Sequence, residues 1–157
     1  MRTKTFWVKP ALVALMLLFI WGNSLLPASA SSRESGAFLR LAEPLVEAVR
    51  RFLADRGHEF TSEHLVRKIA HFTEYAVLGA LMLSLLTRSG LRTRPVVSAP
   101  LCLAAALLDE GIQMFSAGRG PGLGDVLLDF AGACFGILLA QLVLWIIRLI
   151  RKQRKSA

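Results

Sequence analysis

Two blocks of ionisable and polar side chains stand at the ends of apolar segments in this chain. The first block contains Lys68, His71, Glu74 and Tyr75, at the start of an apolar run. The second block surrounds a short loop and contains Asp109, Glu110, Gln113, Arg119, Asp125 and Asp129. Ionisable groups beside hydrocarbon are costly, so they usually have a partner or a task. These blocks therefore predict either a buried polar network or a site for a polar ligand.

The residue types suit several kinds of ligand and two kinds of role. Lys68 and Arg119 suit a phosphate, since a guanidinium can bind two of its oxygens at once. The carboxylates suit hydroxyls, amines or a divalent cation. The candidates for acid–base catalysis are His71, Glu74, Asp109 and Glu110. In the structural alternative, Lys68 or Arg119 neutralises the carboxylates and the network fixes the register of the helices.

We expect neither a metal nor another cofactor. His71 is the one histidine within the two blocks, and neither an HExxH nor a paired ExxH motif occurs. Carboxylates near apolar segments are more often paired with Lys or Arg. A Gly-x-Ser-x-Gly motif is also absent, and Cys102 and Cys134 lie at different depths of their segments, so we expect no disulfide. Whether the protein is an enzyme stays open, with binding preferred.

The composition indicates a membrane protein. The 157 residues are 54% hydrophobic with a mean hydropathy of +0.52, more apolar than a soluble domain of this size. The net charge of +8 lies in short basic segments beside apolar runs, which is typical of topology signals at anionic lipid headgroups. We expect one small domain over residues 1–157 that contacts membrane lipids and has no nucleic-acid partner.

Four apolar segments are long enough to cross a bilayer, which takes roughly 20 residues. We place the spans at about 6–26, 69–87, 96–115 and 126–150. Only helices and closed barrels satisfy all backbone groups in lipid, and no alternating pattern indicates a barrel. The predicted fold is an all-α bundle of four transmembrane helices.

Basic residues decide the predicted orientation. They cluster before the first span, between the second and third spans, and in the tail 151–157, whereas acidic residues balance them in 27–67. The three basic groups share one side in a four-span topology, so we expect both termini in the cytoplasm. An alternative for the N-terminus is a signal peptide cleaved near Ala28-Ser29-Ala30, which would leave the other spans orientated as before.

The segment 27–67 is predicted to lie outside the cell membrane and to contain an amphipathic helix. Its apolar residues recur at helical spacing, at Phe38, Leu41, Leu45, Val49 and Phe52. Glu47 and Arg51 are four residues apart and can pair. Such a helix would rest on the outer leaflet or cap the bundle.

The predicted topology brings both polar blocks to one depth, near the outer interface. The second span enters there, the third leaves there and the fourth returns there. On the fourth span Asp125, Asp129, Gly132 and Gly136 share one helical face, and the two glycines permit close helix approach. The aspartates therefore point into the bundle. The same glycine face could instead mediate a homo-oligomer.

Together these residues resemble the signature of VanZ-like membrane proteins. The resemblance rests on Lys68-x-x-His71-Phe72-x-Glu74-Tyr75-x-x-Leu78-Gly79, on Asp109-Glu110-x-x-Gln113-x-Phe115-x-x-Gly118-Arg119 and on Asp125-x-x-x-Asp129-x-x-Gly132. It covers roughly residues 21–140. The family usually has Asn at the position of Asp129, so the additional charge changes what ligand this chain would prefer.

The resemblance implies a small, multi-pass protein of a bacterial cytoplasmic membrane. The founding family member is linked to resistance to the glycopeptide teicoplanin, which implies a possible glycopeptide-related ligand. Combined with the polar cluster, it predicts an outward-facing site for a cell-envelope lipid or cell-wall-related ligand. The alternatives are an interfacial enzyme that acts on a lipid-linked substrate and a structural partner in an envelope complex.

Overall fold

The computed structural model describes residues 7–26, 62–86, 94–116 and 122–156, with 44, 47, 48, 50–52, 54 and 55 from the long first connection. The described ranges contain four long helices: α1 Val8–Leu25, α2 Ser62–Leu86, α3 Arg94–Gln113 and α4 Leu123–Ser156. These ranges contain no strand. The prediction of an all-α fold with four apolar helices is confirmed.

All four helices are long and apolar enough to cross a membrane. The outward faces of α1, α3 and α4 carry large apolar residues that remain more than half exposed, among them Leu15, Leu18, Leu108, Leu127 and Leu138. Exposed rows of leucine would be unfavourable in water but are satisfied by lipid tails, while the helical backbone satisfies its own polar groups. The chain is therefore a multi-pass membrane protein.

Two helices extend beyond the apolar runs from which they were predicted. α2 begins at Ser62 rather than near 69, since its backbone hydrogen bonds continue through polar residues that hydropathy does not count. α4 has 34 residues, which gives a length of about 51 Å, well beyond a hydrocarbon core of about 30 Å. The basic residues after Ile150 thus belong to the same helix.

The helices alternate in direction. At one end of the bundle, Lys9 Nζ near the start of α1 donates to the carbonyl of Ser84 at 2.6 Å, near the end of α2. At the other end, Ser116 Oγ just after α3 donates to the carbonyl of Leu26 at 2.9 Å, just after α1. The latter end, where α1 and α3 finish and α2 and α4 begin, is called the polar end below.

Glycines permit the closest packing in the bundle, between α2 and α4. A Cβ atom added to Gly132 would collide with the carbonyl of Phe72, and one added to Gly136 would collide with the carbonyl of Ala76. Gly79 on α2 meets the backbone of Ala133 in the same way. The predicted glycine face of α4 is thus used within the chain. A homo-oligomer through Gly132 and Gly136 stays a prediction, and would require α2 to leave this face.

Below the polar end, small and apolar side chains fill the centre of the bundle. Ile20 from α1, Leu78 from α2, Cys102 from α3 and Ala133 from α4 are fully buried in one cluster. Cys102 and Cys134 are both free thiols. This packed core supports the helix ends that carry the polar residues.

The long connection between α1 and α2 is described only in part. Its described residues from 44 to 54 are helical, and Glu47 accepts a hydrogen bond from Arg50 at 2.8 Å and another from Arg51 at 3.3 Å. The hydrogen bond from Arg50 contributes most to lowering the pKa of Glu47 to about 2. The rest of the predicted amphipathic helix, including Phe38, Leu41, Leu45 and Val49, lies outside the described residues.

Candidate functional site

Polar side chains from all four helices meet at the polar end. α2 contributes its first half, α3 its last turns and α4 its first two turns, as the sequence predicted. α1 adds Asn23 and Ser24 from its last turn. The cluster begins at the half-exposed Lys68 and reaches inward to the fully buried Asp109.

One histidine and two buried aspartates form the centre of the cluster. His71 Nδ1 lies 3.8 Å from Asp109 Oδ2 and 3.9 Å from Asp129 Oδ1. Both distances are too long for a hydrogen bond. The side chains of Asp109 and Asp129 are 0% and 3% exposed. We call these three residues, which come from three different helices, the His–Asp–Asp group.

Each aspartate of this group retains an unused oxygen. Neither Asp109 Oδ1 nor Asp129 Oδ1 has a hydrogen-bond partner among the described residues, and both atoms are fully buried. The buried hydroxyl of Tyr75, one turn after His71 on α2, also has no hydrogen-bond partner among the described residues. Buried polar atoms are rarely left unsatisfied in native proteins, so each requires a reason.

Gln113 holds the other oxygen of Asp109. Its Nε2 donates to Asp109 Oδ2 at 2.9 Å and lies 3.5 Å from Ser24 Oγ, at the limit of a hydrogen bond. Because Gln113 is one turn after Asp109 on α3, the helix itself places the amide beside the carboxylate. Gln113 thus orients Asp109 and links α3 to α1.

Glu74 lies on a neighbouring face of α2, directed toward α1. Its Oε1 accepts a hydrogen bond of 3.2 Å from Asn23 Nδ2. Glu74 is three residues from His71, so the two side chains lie near each other on α2 and share one depth of the bundle. The hydrogen bond to Asn23 connects Glu74 with α1.

Two further carboxylates lie nearer the rim. Lys68 forms an ion pair with Asp125, and their side chains are 28% and 36% exposed. Glu110 Oε1 accepts a hydrogen bond from the backbone N–H of Gly122, just before α4 begins. The first pair joins α2 to α4, and the second joins α3 to α4.

The structure brings together nine of the ten residues that were predicted for the site, through the contacts above and the position of Tyr75. The tenth, Arg119, lies outside the described residues. The sequence analysis missed Asn23 and Ser24. Their signal was available, because they are polar residues at the end of an otherwise apolar segment, at the depth where the other polar groups were predicted.

The relationship to known proteins agrees with this geometry. The sequence model of the VanZ/LLP1 family matches residues 10–146. The chain belongs to this family. The match includes both polar blocks and reaches into all four helices of this VanZ-family protein, somewhat beyond the predicted resemblance over 21–140. None of the curated proteins and none of the solved structures matches the chain significantly.

The arrangement in this VanZ-family chain can serve several kinds of chemistry. The unused carboxylate oxygens accept hydrogen bonds from hydroxyls or amines, or bind a cation. Lys68 uses one of its donors for Asp125 and has others for an anionic ligand. His71 lies beside two carboxylates and is the best placed of the predicted acid–base candidates. Glu110 already accepts a hydrogen bond from the backbone of Gly122, just before α4.

Proposed function

We propose that this VanZ-family protein binds the polar headgroup of a cell-envelope lipid, or a cell-wall-related ligand, in the polar cluster. The site faces the outer side of a bacterial cytoplasmic membrane. The lipid tails, where the ligand has them, lie along the apolar helix faces. Binding rather than catalysis is the primary role.

The observation that carries this proposal is the meeting of polar groups from four apolar helices at one end of the bundle. A structural network would be expected to satisfy its own members. Here Asp109, Asp129 and Tyr75 each keep a buried polar atom without a hydrogen-bond partner among the described residues. A polar ligand would supply those partners.

The distribution of charge suggests which part of a headgroup lies where. The half-exposed Lys68 at the rim suits a phosphate. The deeper carboxylates suit the hydroxyl or amino groups of a sugar or peptide. A phosphate-linked sugar or amino alcohol combines both features, which are common in lipid-linked envelope components.

The proposed orientation rests on the positive-inside rule. The polar end lies opposite the basic end of α4, where Arg148, Arg151, Lys152 and Arg154 are found. Basic residues near a span remain in the cytoplasm. The polar end therefore faces outward, with both termini inside.

Native mass spectrometry of the purified protein tests the proposal. Wild type is compared with Asp129→Asn and Lys68→Met, and each is scored for lipid that co-purifies. We expect wild type to retain a defined anionic lipid. In both variants the occupancy of that lipid should be at least ten-fold lower than in wild type. Glu47→Gln, on the exposed outer connection, is the matched control and should retain the lipid.

If wild type and both variants carry the same bulk lipid mixture, the headgroup site does not exist. A structural role in an envelope complex would then be favoured, because the network would act without a ligand.

The position of His71 between two carboxylates supports a second candidate function, that of an interfacial enzyme acting on a lipid-linked substrate. In that case His71→Gln should retain the lipid but accumulate one species that wild type converts. The same variants also test the link to teicoplanin resistance that the family resemblance implies. Loss of the site should change teicoplanin susceptibility in a host that depends on this protein.

A further inference from the structure

We propose that the His–Asp–Asp group binds one divalent first-row metal ion, such as Mn²⁺ or Zn²⁺, through His71, Asp109 and Asp129. This proposal departs from the expectation from sequence that the protein has no metal, which rested on the tendency of carboxylates to pair with Lys or Arg. Among the described residues, Lys68 is paired with Asp125. The basic side chain that lies beside Asp109 and Asp129 is that of His71.

The potential ligand atoms of the three residues lie close enough to one another to converge on a single ion. One potential ligand atom from each of the three residues lies within 4.8 Å of the other two. Ligands about 2.1 Å from an ion are at most about 4.2 Å apart. The 3.8 and 3.9 Å separations between His71 Nδ1 and the two carboxylates already lie inside that limit. Adjacent ligands of a bound ion lie about 3.0–3.4 Å apart, so the three side chains would move closer together as the ion binds.

Burial and hydrogen bonding give independent support. Asp109 and Asp129 are almost completely buried, and each has an oxygen without a hydrogen-bond partner among the described residues. Two buried carboxylates this close are costly unless a positive charge compensates them. A divalent ion supplies that charge, and a protonated His71 would supply only half of it.

Gln113 has the role of a residue that orients a metal ligand. Its amide donates to Asp109 Oδ2 and is itself placed beside Ser24 of α1. Outer hydrogen bonds of this kind fix the orientation of ligating carboxylates, and their loss typically weakens metal binding 10–100-fold. We treat Gln113 as a positioning residue.

The ligand set indicates the class of ion. One imidazole with two carboxylates suits Mn²⁺, Fe²⁺ or Zn²⁺ better than Ca²⁺, which prefers six to eight oxygens. Three protein ligands leave coordination positions open. A headgroup phosphate could occupy one of them, a step that rests on the proposed function, whereas binding of the ion itself does not.

Titration of the detergent-purified protein with Mn²⁺ alone, followed by electron paramagnetic resonance, tests the site without any added lipid. We expect wild type, first treated with a chelator, to bind one equivalent of Mn²⁺. Asp109→Asn and Asp129→Asn should each weaken binding at least 100-fold, and Gln113→Ala 10–100-fold. Asp55→Asn makes the same chemical change in the connection between α1 and α2, outside the polar cluster, and should bind as wild type does.

The imidazole provides a second readout that needs no change in the carboxylates. Pulsed measurements on wild type with Mn²⁺ should show coupling to a histidine nitrogen, which persists in His64→Gln and disappears in His71→Gln. Absence of stoichiometric Mn²⁺ binding by wild type, or of nitrogen coupling in the bound form, would overturn the site. So would wild-type affinity in folded Asp129→Asn.

The outcomes separate this site from the headgroup site. If Mn²⁺ fails to bind while a defined lipid still co-purifies, the metal proposal is wrong and the headgroup proposal stands. If Mn²⁺ binds but no specific lipid co-purifies, the headgroup proposal is wrong and the metal proposal stands.

Discussion

Asp129 places an ionisable side chain in the interior of the bundle. It lies among apolar helices with its carboxylate almost completely buried, and one oxygen has no hydrogen-bond partner among the described residues. An Asn at this position would preserve the shape of the side chain without a charge. A buried carboxylate lowers stability unless a donor or a ligand compensates it, which is a cost that functional sites often carry.

Asp129→Asn should stabilise the protein when ligands are removed. The change preserves shape and removes a buried charge, so in a chelator we expect the free energy of unfolding to rise by about 1–3 kcal/mol. Thermal unfolding in detergent measures it. Asp125→Asn, in the half-exposed pair with Lys68, should change stability by less than about 1 kcal/mol. A lower melting temperature for Asp129→Asn than for wild type would show that the carboxylate already has a stabilising partner.

The individual site residues were predictable to a large degree. Helical periodicity placed Asp125 and Asp129 on the same face as Gly132, and the contacts with α2 agree. The partners of each residue were not predictable, because spacing along one helix does not say which neighbouring helix a side chain meets. Thus the hydrogen bond from Asn23 of α1 to Glu74 was not predicted.

At the scale of the helices, the glycine contact between α2 and α4 positions the site. The same stripe that carries Asp129 continues to Gly136, so backbone contact and ligand placement depend on one helix face. If α2 and α4 moved apart, His71 would move away from Asp129. Helix packing and site geometry are therefore coupled.

Gly136→Ala should weaken this contact. The added Cβ would meet the carbonyl of Ala76, a backbone atom that cannot rotate away, so we expect a loss of about 1–3 kcal/mol in the free energy of unfolding. Gly124→Ala is the matched control on the same helix, since nothing lies within 4 Å of its added Cβ. It should be neutral or stabilising by up to about 1 kcal/mol. Equal effects of the two variants, measured by thermal unfolding, would contradict the close contact.

The ends of the helices were predicted less well than their existence. Hydropathy identified all four spans, but α2 starts at Ser62 and α4 continues to Ser156. Polar residues can continue a helix once it has left the hydrocarbon, since backbone hydrogen bonds do not depend on side-chain polarity. An apolar count therefore reports the membrane-embedded part of a helix and underestimates its full length.

For the whole molecule, the distribution of charge separates the two ends of the bundle. Basic residues gather where α4 ends, and the ion pairs and buried carboxylates gather where it begins. This asymmetry is the basis of the proposed orientation, with the polar end outside.

Cysteine labelling in intact cells tests the orientation. In a variant without the two native cysteines, Leu123→Cys lies at the polar end with an 81% exposed side chain in the native protein. An impermeant maleimide should label it in intact cells, whereas Arg154→Cys should be labelled only after the cells are permeabilised. Labelling of Arg154→Cys alone in intact cells would invert the topology and place the site in the cytoplasm.

A crystal structure grown from a lipidic phase, with the protein purified without a chelator, tests the central claim most directly. We predict electron density for a bound group between His71, Asp109 and Asp129, continuous with or adjacent to a lipid headgroup near Lys68. If Asp109 and Asp129 instead find protein donors for all their oxygens and no such density is present, the cluster is a structural network and the binding function is wrong.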